Sequence, residues 1–348
     1  MNFLVISSVY RYLRFFAPVS AKAKTIISRA SGVEPTLFFA PRMIDWQKKT
    51  FYPEVVAKIL EDYRDKKLPL TNGEHGIRVH GFIDLGRPGN RVFYADHVPS
   101  SIAVLTEQIK LTAQLAQIAG LDTAVHPSII TIHLGRSRGD MTAELDRLVR
   151  IFNEITPIAK AHNTIINIEN VWNPGGVVEY SLGSDLADLV YLFDHIADPS
   201  AFGVTFDFAH GLIHYQGDYD KLRSDLVTSG LLPHITYLHL TMPGRRYHKK
   251  FEWVMDPRRL PGLGPVIYFF YRNPDSQGGI SRLQRDYPHE VDQLADLMKF
   301  VAGESILKKP STYHCATLEV GMKIPFTHSG AKIPDITKTF DWAEGLFS

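Results

Sequence analysis

Apolar residues fall in short continuous runs along the chain, and polar residues gather between them. The runs read NFLVISS (2–8), TLFFAP (36–41), IRVHGFI (77–83), IITIHLG (129–135), TIINIEN (164–170), FGVTFD (202–207), ITYLHLT (235–241) and ATLEVG (316–321). Parallel strands covered on both faces leave such runs, whereas half-exposed strands alternate apolar with polar. Between most of the runs the apolar spacing switches to three and four. SSIAVLTEQIKLTAQLAQIAG (100–120) follows that spacing, with Gly120 where a helix stop falls. AELDRLVRIFNEITPIAKAH (143–162) and SDLADLVYLFDHIA (184–197) repeat it. Strand–helix alternation of this length predicts an α/β chain folded as one closed (β/α)8 TIM barrel of parallel strands, spanning residues 1–348.

A few segments break the rhythm. GRPGNRVFYADHVP (86–99) reads as a long loop, and HYQGDYD (214–220) as a loop over the barrel mouth. The Pro–Ser pair in HIADPSAFGVTFD reads as a structural turn. Residues 242–288 are rich in Pro, Gly, Arg and aromatics without clear periodicity, and read as an extended loop carrying an insertion. No linker divides the chain.

Composition narrows the reading little. Hydrophobic residues make up 45% and charged residues 22%, a globular balance. The net charge of +1 gives no support for a large nucleic-acid footprint, although a local basic patch is compatible with it. One cysteine, Cys315, makes an internal disulfide impossible and fits a reducing compartment. It reads as a small buried hydrophobe. No apolar run is long enough to span a bilayer. Residues 1–33 hold no acid and five basic residues (Arg11, Arg14, Lys22, Lys24, Arg29), as organellar transit peptides do. The later strands need a partner that begins here, which favours a first core strand, part of a helix and a cytoplasmic location.

The strand ends carry the chemistry. In a parallel barrel the active site lies at the C-terminal ends of the strands. Those ends hold His80, His133, Glu169, Asp207, His239 and Glu319, with His210 three residues past Asp207. A hydrogen-bonded polar plug could use one or two such groups. Six on one rim are costly to bury without a shared cation. Mixed imidazole and carboxylate donors suit Mn²⁺, Zn²⁺, Co²⁺ or Mg²⁺, and the lack of cysteine nearby argues against a structural zinc knot. An open position on such an ion polarises a carbonyl or phosphoryl oxygen. Trp172 sits just past Glu169, placed to stack on a sugar ring or to pack on the next helix.

HLG (133–135), IEN (168–170), FGVTFDFAH (202–210), LHLT (238–241) and TLEV (317–320) resemble the strand signatures of the xylose isomerase-like TIM barrels, in order, from about residue 75 to 322. That group includes sugar isomerases, ketose 3-epimerases and endonuclease IV. Resemblance to the epimerases implies one metal held by Glu169, Asp207, His239 and Glu319. It implies that Glu169 and Glu319 exchange a proton beside a metal-bound carbonyl of a sugar or sugar phosphate, with His210 and His133 toward the substrate. RRLPGLG (258–264) is similar to the Arg-rich PGxG stretch of these enzymes, which implies that Arg258 contacts substrate hydroxyls or a phosphate. A solvated surface role for Arg258 and Arg259 weighs equally. Resemblance to endonuclease IV implies three zinc ions and a larger set: His80, His133, Glu169, Asp207, His210, His239, Asp256 and Glu319. VHGFIDLGRPG fits that family's His-bearing third strand. Two features depart from it. Arg258 stands where a zinc-binding histidine is expected, a place His248 could take only if the insertion folds back, and Thr241 and Met242 follow His239 in place of Asn-Asp. The leading expectation is therefore a divalent-metal sugar isomerase or epimerase with a small carbohydrate substrate. An abasic-site DNA phosphodiesterase and a non-catalytic sugar-binding barrel are the alternatives. Phe251, Trp253, Tyr268, Phe269, Phe270 and Tyr271 suit a lid or, as often in such relatives, a homo-oligomer contact.

Overall fold

The computed structural model describes residues 1–6, 28–35, 44–65, 70–81, 94–137, 139–173, 180–240, 254–255, 269–270, 280–286, 288–318 and 333–348. Eight parallel strands form one sheet: β1 (Asn2–Ile6), β2 (Gly32–Glu34), β3 (Arg78–His80), β4 (Ser128–Ile132), β5 (Thr164–Glu169), β6 (Phe202–Asp207), β7 (Ile235–His239) and β8 (Cys315–Leu318). Their order is β2-β1-β8-β7-β6-β5-β4-β3. The His80 amide donates to Pro35 O at 2.8 Å, which brings the two free edges together and nearly closes the ring. Closure matters because an open edge offers unpaired amides and carbonyls.

Helices cover the outside: α1 (Pro53–Asp65), α2 (Val98–Ile118), α3 (Met141–Ala161), α4 (Leu186–His195), α5 (Phe208–His214), α6 (Tyr219–Thr228), α7 (Ile280–Asp286), α8 (Pro288–Glu304) and α9 (Ile333–Leu346). Aspartates start several of them. Asp140 accepts from the Ala143 amide, Asp185 from Ala187 and Asp218 from Lys221, each filling a donor that the first turn leaves open. The three-and-four spacing is realised as buried faces. Leu105, Ile109 and Leu115 of α2 and Leu148, Ile151, Phe152 and Ile155 of α3 are buried against the sheet. Gly120 follows α2 at φ 70°, the left-handed stop expected of it.

The barrel interior is layered. At the bottom, Leu4, Ile129, Tyr237 and Cys315 form a closed apolar cluster. Arg78 is buried with them, donating to Pro127 O (3.1 Å) and Thr312 O (2.8 Å), with its guanidinium 5.6 Å from the Tyr237 ring centre. Above lies a hydroxyl and amide layer. Thr131 Oγ1 meets Thr205 Oγ1 at 2.8 Å, Asn167 Nδ2 donates to Thr205 Oγ1 at 2.9 Å, and Thr236 Oγ1 donates to Asn167 Oδ1 at 2.8 Å. Gly203 makes room for this layer, since a Cβ there would stand 2.3 Å from Thr236 Oγ1.

Four expectations change. The second barrel strand is Gly32–Glu34, upstream of TLFFAP, whose residues lie outside the described set. Three residues that include a glycine and an acid make no apolar run, so pattern alone passes over them. HYQGDYD is a turn between two helices rather than a mouth loop, because α5 runs to His214 and Asp218 caps α6. Within 242–288, residues Ile280–Asp286 are helical, a segment too short to show periodicity. Val254–Met255 and Phe269–Phe270 pair as a small antiparallel ribbon. Within 86–99 the described part holds a 3-10 turn at Tyr94–Asp96, and Val98 already belongs to α2.

Candidate metal centre

The strands deliver their last inward-facing residues to one place. Glu169 ends β5, Asp207 ends β6, His239 ends β7, His80 ends β3, and His133 stands one residue past β4. Glu169 is the hub. Its Oε2 lies 3.0 Å from His133 Nε2 and 3.2 Å from His80 Nε2. Its Oε1 lies 3.2 Å from His210 Nδ1 and 3.4 Å from His239 Nδ1. His80, Glu169, Asp207, His210 and His239 are buried, and the His133 side chain, 17% exposed, is the one open to solvent.

Neighbouring groups hold these side chains in place. Asn170 brackets Asp207: its Oδ1 accepts from the Asp207 amide at 2.7 Å and its Nδ2 donates to Asp207 O at 2.9 Å. Asp207 Oδ1 accepts from the His210 amide at 2.7 Å and so caps α5, which turns His210 back toward the strand ends. His210 Nδ1 also lies 2.9 Å from Asn170 O, and His80 Nδ1 lies 3.3 Å from Gly81 O. A ring nitrogen that donates to a main-chain carbonyl leaves Nε2 of the same ring with a lone pair. His239 Nε2 faces Glu34 Oε1 at 3.3 Å, and Tyr237 Oη donates to Glu34 Oε2 at 2.8 Å.

Charge and burial compete here. Burial pushes the Glu169 carboxyl up, but the imidazoles of His133 and His239 outweigh it and hold the group well below the usual carboxylate range. Burial likewise raises Glu34, while His239 and His80 bring it down on balance. Burial disfavours charge on His80, yet the hydrogen bond and charge of Glu169 raise it overall. On His133 burial wins over Glu169, and the ring is held below its ordinary value. The site thus favours charge on Glu169, while burial works against charge on His133.

These donors fit a cation. Two sets of ligand atoms lie within 4.8 Å of one another: His80, His133 and Glu169, and Glu169, Asp207 and His210. Glu169 is common to both. Its Oε1 is buried and accepts no formed hydrogen bond, the state of an oxygen better suited to a positive ion than to a plug of polar contacts. The donor chemistry, imidazole with carboxylate and no thiolate, suits Zn²⁺, Mn²⁺ or Co²⁺.

Of the residues singled out from sequence, the structure brings Glu169, Asp207, His239, His80, His133 and His210 into one cluster. Trp172 is half-buried just past Glu169. Glu319, Arg258, Asp256, Arg259 and His248 lie outside the described residues, as do Phe251, Trp253, Tyr268 and Tyr271. Two residues of the site escaped sequence reasoning. Glu34 sits in a strand too short to register. Asn170 was visible within IEN but carried no chemistry of its own. Cys315 is buried at the opposite end, with its thiol pushed up to about 12 by burial, so it takes no part.

A parallel (β/α)8 barrel with imidazole and carboxylate donors converging on its C-terminal rim defines a class of barrel enzymes built around a candidate metal centre. The chain belongs to the xylose isomerase-like TIM barrel family, whose pattern matches residues 30–271. It is 24% identical over 178 residues to the "Probable endonuclease 4" of Mycoplasmopsis pulmonis, a match covering 50% of this chain and 62% of the relative. It is 33% identical over 112 residues to the protein of the same name from Mycoplasma genitalium, covering 32% and 33%. The match thus spans less than two thirds of either relative. A solved D-tagatose 3-epimerase-like protein superposes with a TM-score of 0.53 at 13% identity, covering 100% of this chain and 97% of that one, a likeness of fold. Among the described residues no helix is long and apolar enough to cross a membrane.

Proposed function

We propose that this protein is a metal-dependent phosphodiester hydrolase of the endonuclease IV kind, acting on DNA at abasic sites. One observation carries the reading: His80 and His133 converge on Glu169 Oε2 while His210 and His239 stand at Oε1. A single-ion epimerase site of Glu169, Asp207, His239 and Glu319 has no place for His80 and His133 among its ligands. A carboxylate engaged on both oxygens suits two neighbouring ions. The curated relatives point the same way by name.

In this reading His80, His133 and Glu169 would hold one ion, and Glu169, Asp207, His210 and His239 would hold a second. Such ions supply Lewis acidity toward a phosphoryl oxygen and a water of lowered pKa. The chain does the rest. Asn170 fixes Asp207 and His210, so these ligands need little reorganisation when a substrate arrives. Buried strand ends keep bulk water from the donors, and His133, the partly exposed one, faces the approach. Arg258, Asp256 and Glu319 are further candidates for substrate and ion contacts.

A second reading has its own support. Arg258 stands where the endonuclease pattern has a histidine, and a cation there suits a sugar phosphate. The expectation of an isomerase or epimerase working through Glu169 and Glu319 rests on that. Elemental analysis of desalted protein, paired with a nicking assay on abasic-site DNA, separates the two. About two or more zinc ions per chain together with nicking is the expected result. About one ion, no nicking and proton exchange on a ketose or its phosphate would replace this reading with the second.

A further inference from the structure

We infer that Glu34 is a positioning residue that sets the ring orientation and tautomer of His239. The inference rests on the metal-centre reading, in which His239 is a ligand. His239 is fully buried and has a carboxylate at each nitrogen: Glu169 Oε1 at 3.4 Å from Nδ1 and Glu34 Oε1 at 3.3 Å from Nε2. A neutral imidazole carries one proton. Of the two His239 nitrogens, Nδ1 faces Glu169 and Nε2 faces Glu34, so an ion shared with Glu169 takes the Nδ1 lone pair. The proton then belongs on Nε2, pointing at Glu34.

Glu34 is built to receive it. Its side chain is buried without access to solvent, a costly place for an anion that serves nothing. Oε2 is taken by the Tyr237 hydroxyl at 2.8 Å, which also meets Thr317 Oγ1. Oε1 accepts no formed hydrogen bond and so is left to the His239 imidazole. Tyr237 is anchored in turn against the Arg78 guanidinium. A line of contacts therefore runs from the barrel floor to the rim, Arg78 to Tyr237 to Glu34 to His239, and it ends on a ligand. His80 and His210 take the corresponding contact from main-chain carbonyls, which no substitution removes. For His239 it comes from a side chain, so its effect can be measured.

The test compares Glu34→Gln and Glu34→Leu with the unaltered protein in a zinc–chelator competition, and reads His239 by long-range ¹H–¹⁵N correlation on zinc-loaded protein with ¹⁵N-labelled histidine. His239→Gln assigns its signals. Outer-sphere partners of metal-bound histidines typically contribute about 10–100-fold in metal affinity. Glu34→Leu is expected to weaken zinc by that order and to shift or broaden the His239 ring nitrogens. Glu34→Gln keeps an acceptor oxygen and recovers most of both signals. Glu34→Met, unbranched and close in length to glutamate, also lacks the acceptor and carries the test if Glu34→Leu does not fold. Unchanged affinity and unchanged His239 nitrogens in a folded variant that lacks the acceptor, Glu34→Leu or Glu34→Met, overturn the inference and leave the metal centre standing. Loss of a whole zinc equivalent in Glu34→Gln also overturns it, because Glu34 is then a ligand. Unaltered protein that takes up no zinc sinks the metal-centre reading, and this inference with it.

Discussion

The two ends of the barrel interior bury charge in opposite ways. At the floor, the buried cation Arg78 keeps Nε without a partner among the described residues, but its terminal nitrogens donate to main-chain carbonyls, its guanidinium lies against the face of Tyr237, and the layer above is joined by hydroxyl and amide bonds. At the rim, three carboxylates (Glu34, Glu169 and Asp207) and four imidazoles crowd together, and Glu169 Oε1 has imidazoles beside it without a formed hydrogen bond. The difference separates structure from function. A buried charge that the fold itself satisfies holds the barrel together. A cluster that the fold gathers and leaves incompletely satisfied is kept for something outside the chain.

The rim gives the largest expected effect. Glu169→Gln keeps shape and removes charge, so ion content and activity should fall by at least about 100-fold while the thermal midpoint holds or rises. Elemental analysis and calorimetry on one preparation check both, and a variant that retains its ions would erase the contrast between the ends. At the floor the pattern reverses. Arg78→Met leaves buried carbonyls unpaired and should cost about 2–4 kcal/mol in urea unfolding, with the ion count unchanged. The smallest effect sharpens the comparison through pH. His75 is buried beside Arg78, and burial followed by the Arg78 charge holds its pKa down at about 4. The folded value lies below the unfolded one of about 6.5, so its contribution is complete above that pH and is lost as pH falls toward 4. Between pH 7.5 and 5 the protein should lose about 2 kcal/mol from this group, and His75→Gln should flatten that part of the curve in urea titrations.

Much of this was legible in the chain, unevenly and for physical reasons. Parallel strands buried on both faces write themselves as apolar runs, and seven of the eight barrel strands lie within runs read that way or overlap them. A polar residue ending such a run is conspicuous, so His80, Glu169, Asp207 and His239 stood out. Glu34 ends a strand just as Glu169 does, but its strand has one apolar residue, Val33, and TLFFAP downstream made the louder signal. Arg78, inside IRVHGFI, carried no signal of its own, since a cation inside a barrel is foreseeable only once the carbonyls that receive it are known. The arrangement about Glu169 was also hidden. Spacing says that donors share a rim; it does not say that two imidazoles face each oxygen.

The seam of the barrel has a consequence for how the chain reaches its native state. β1 pairs with β8 through Asn2 opposite Cys315 and Leu4 opposite Thr317, and among the described residues β2 joins the ring through β1 and the Pro35–His80 bond. These contacts link the two ends of the sequence, and contacts of such separation form slowly because loop closure must come first. Glu34 and His239 therefore meet late, after the ring has shut. His80, His133, Glu169, Asp207 and His210 all precede β8 in the chain, so in the metal-centre reading proposed above the donors for an ion are made before the strand that shuts the ring.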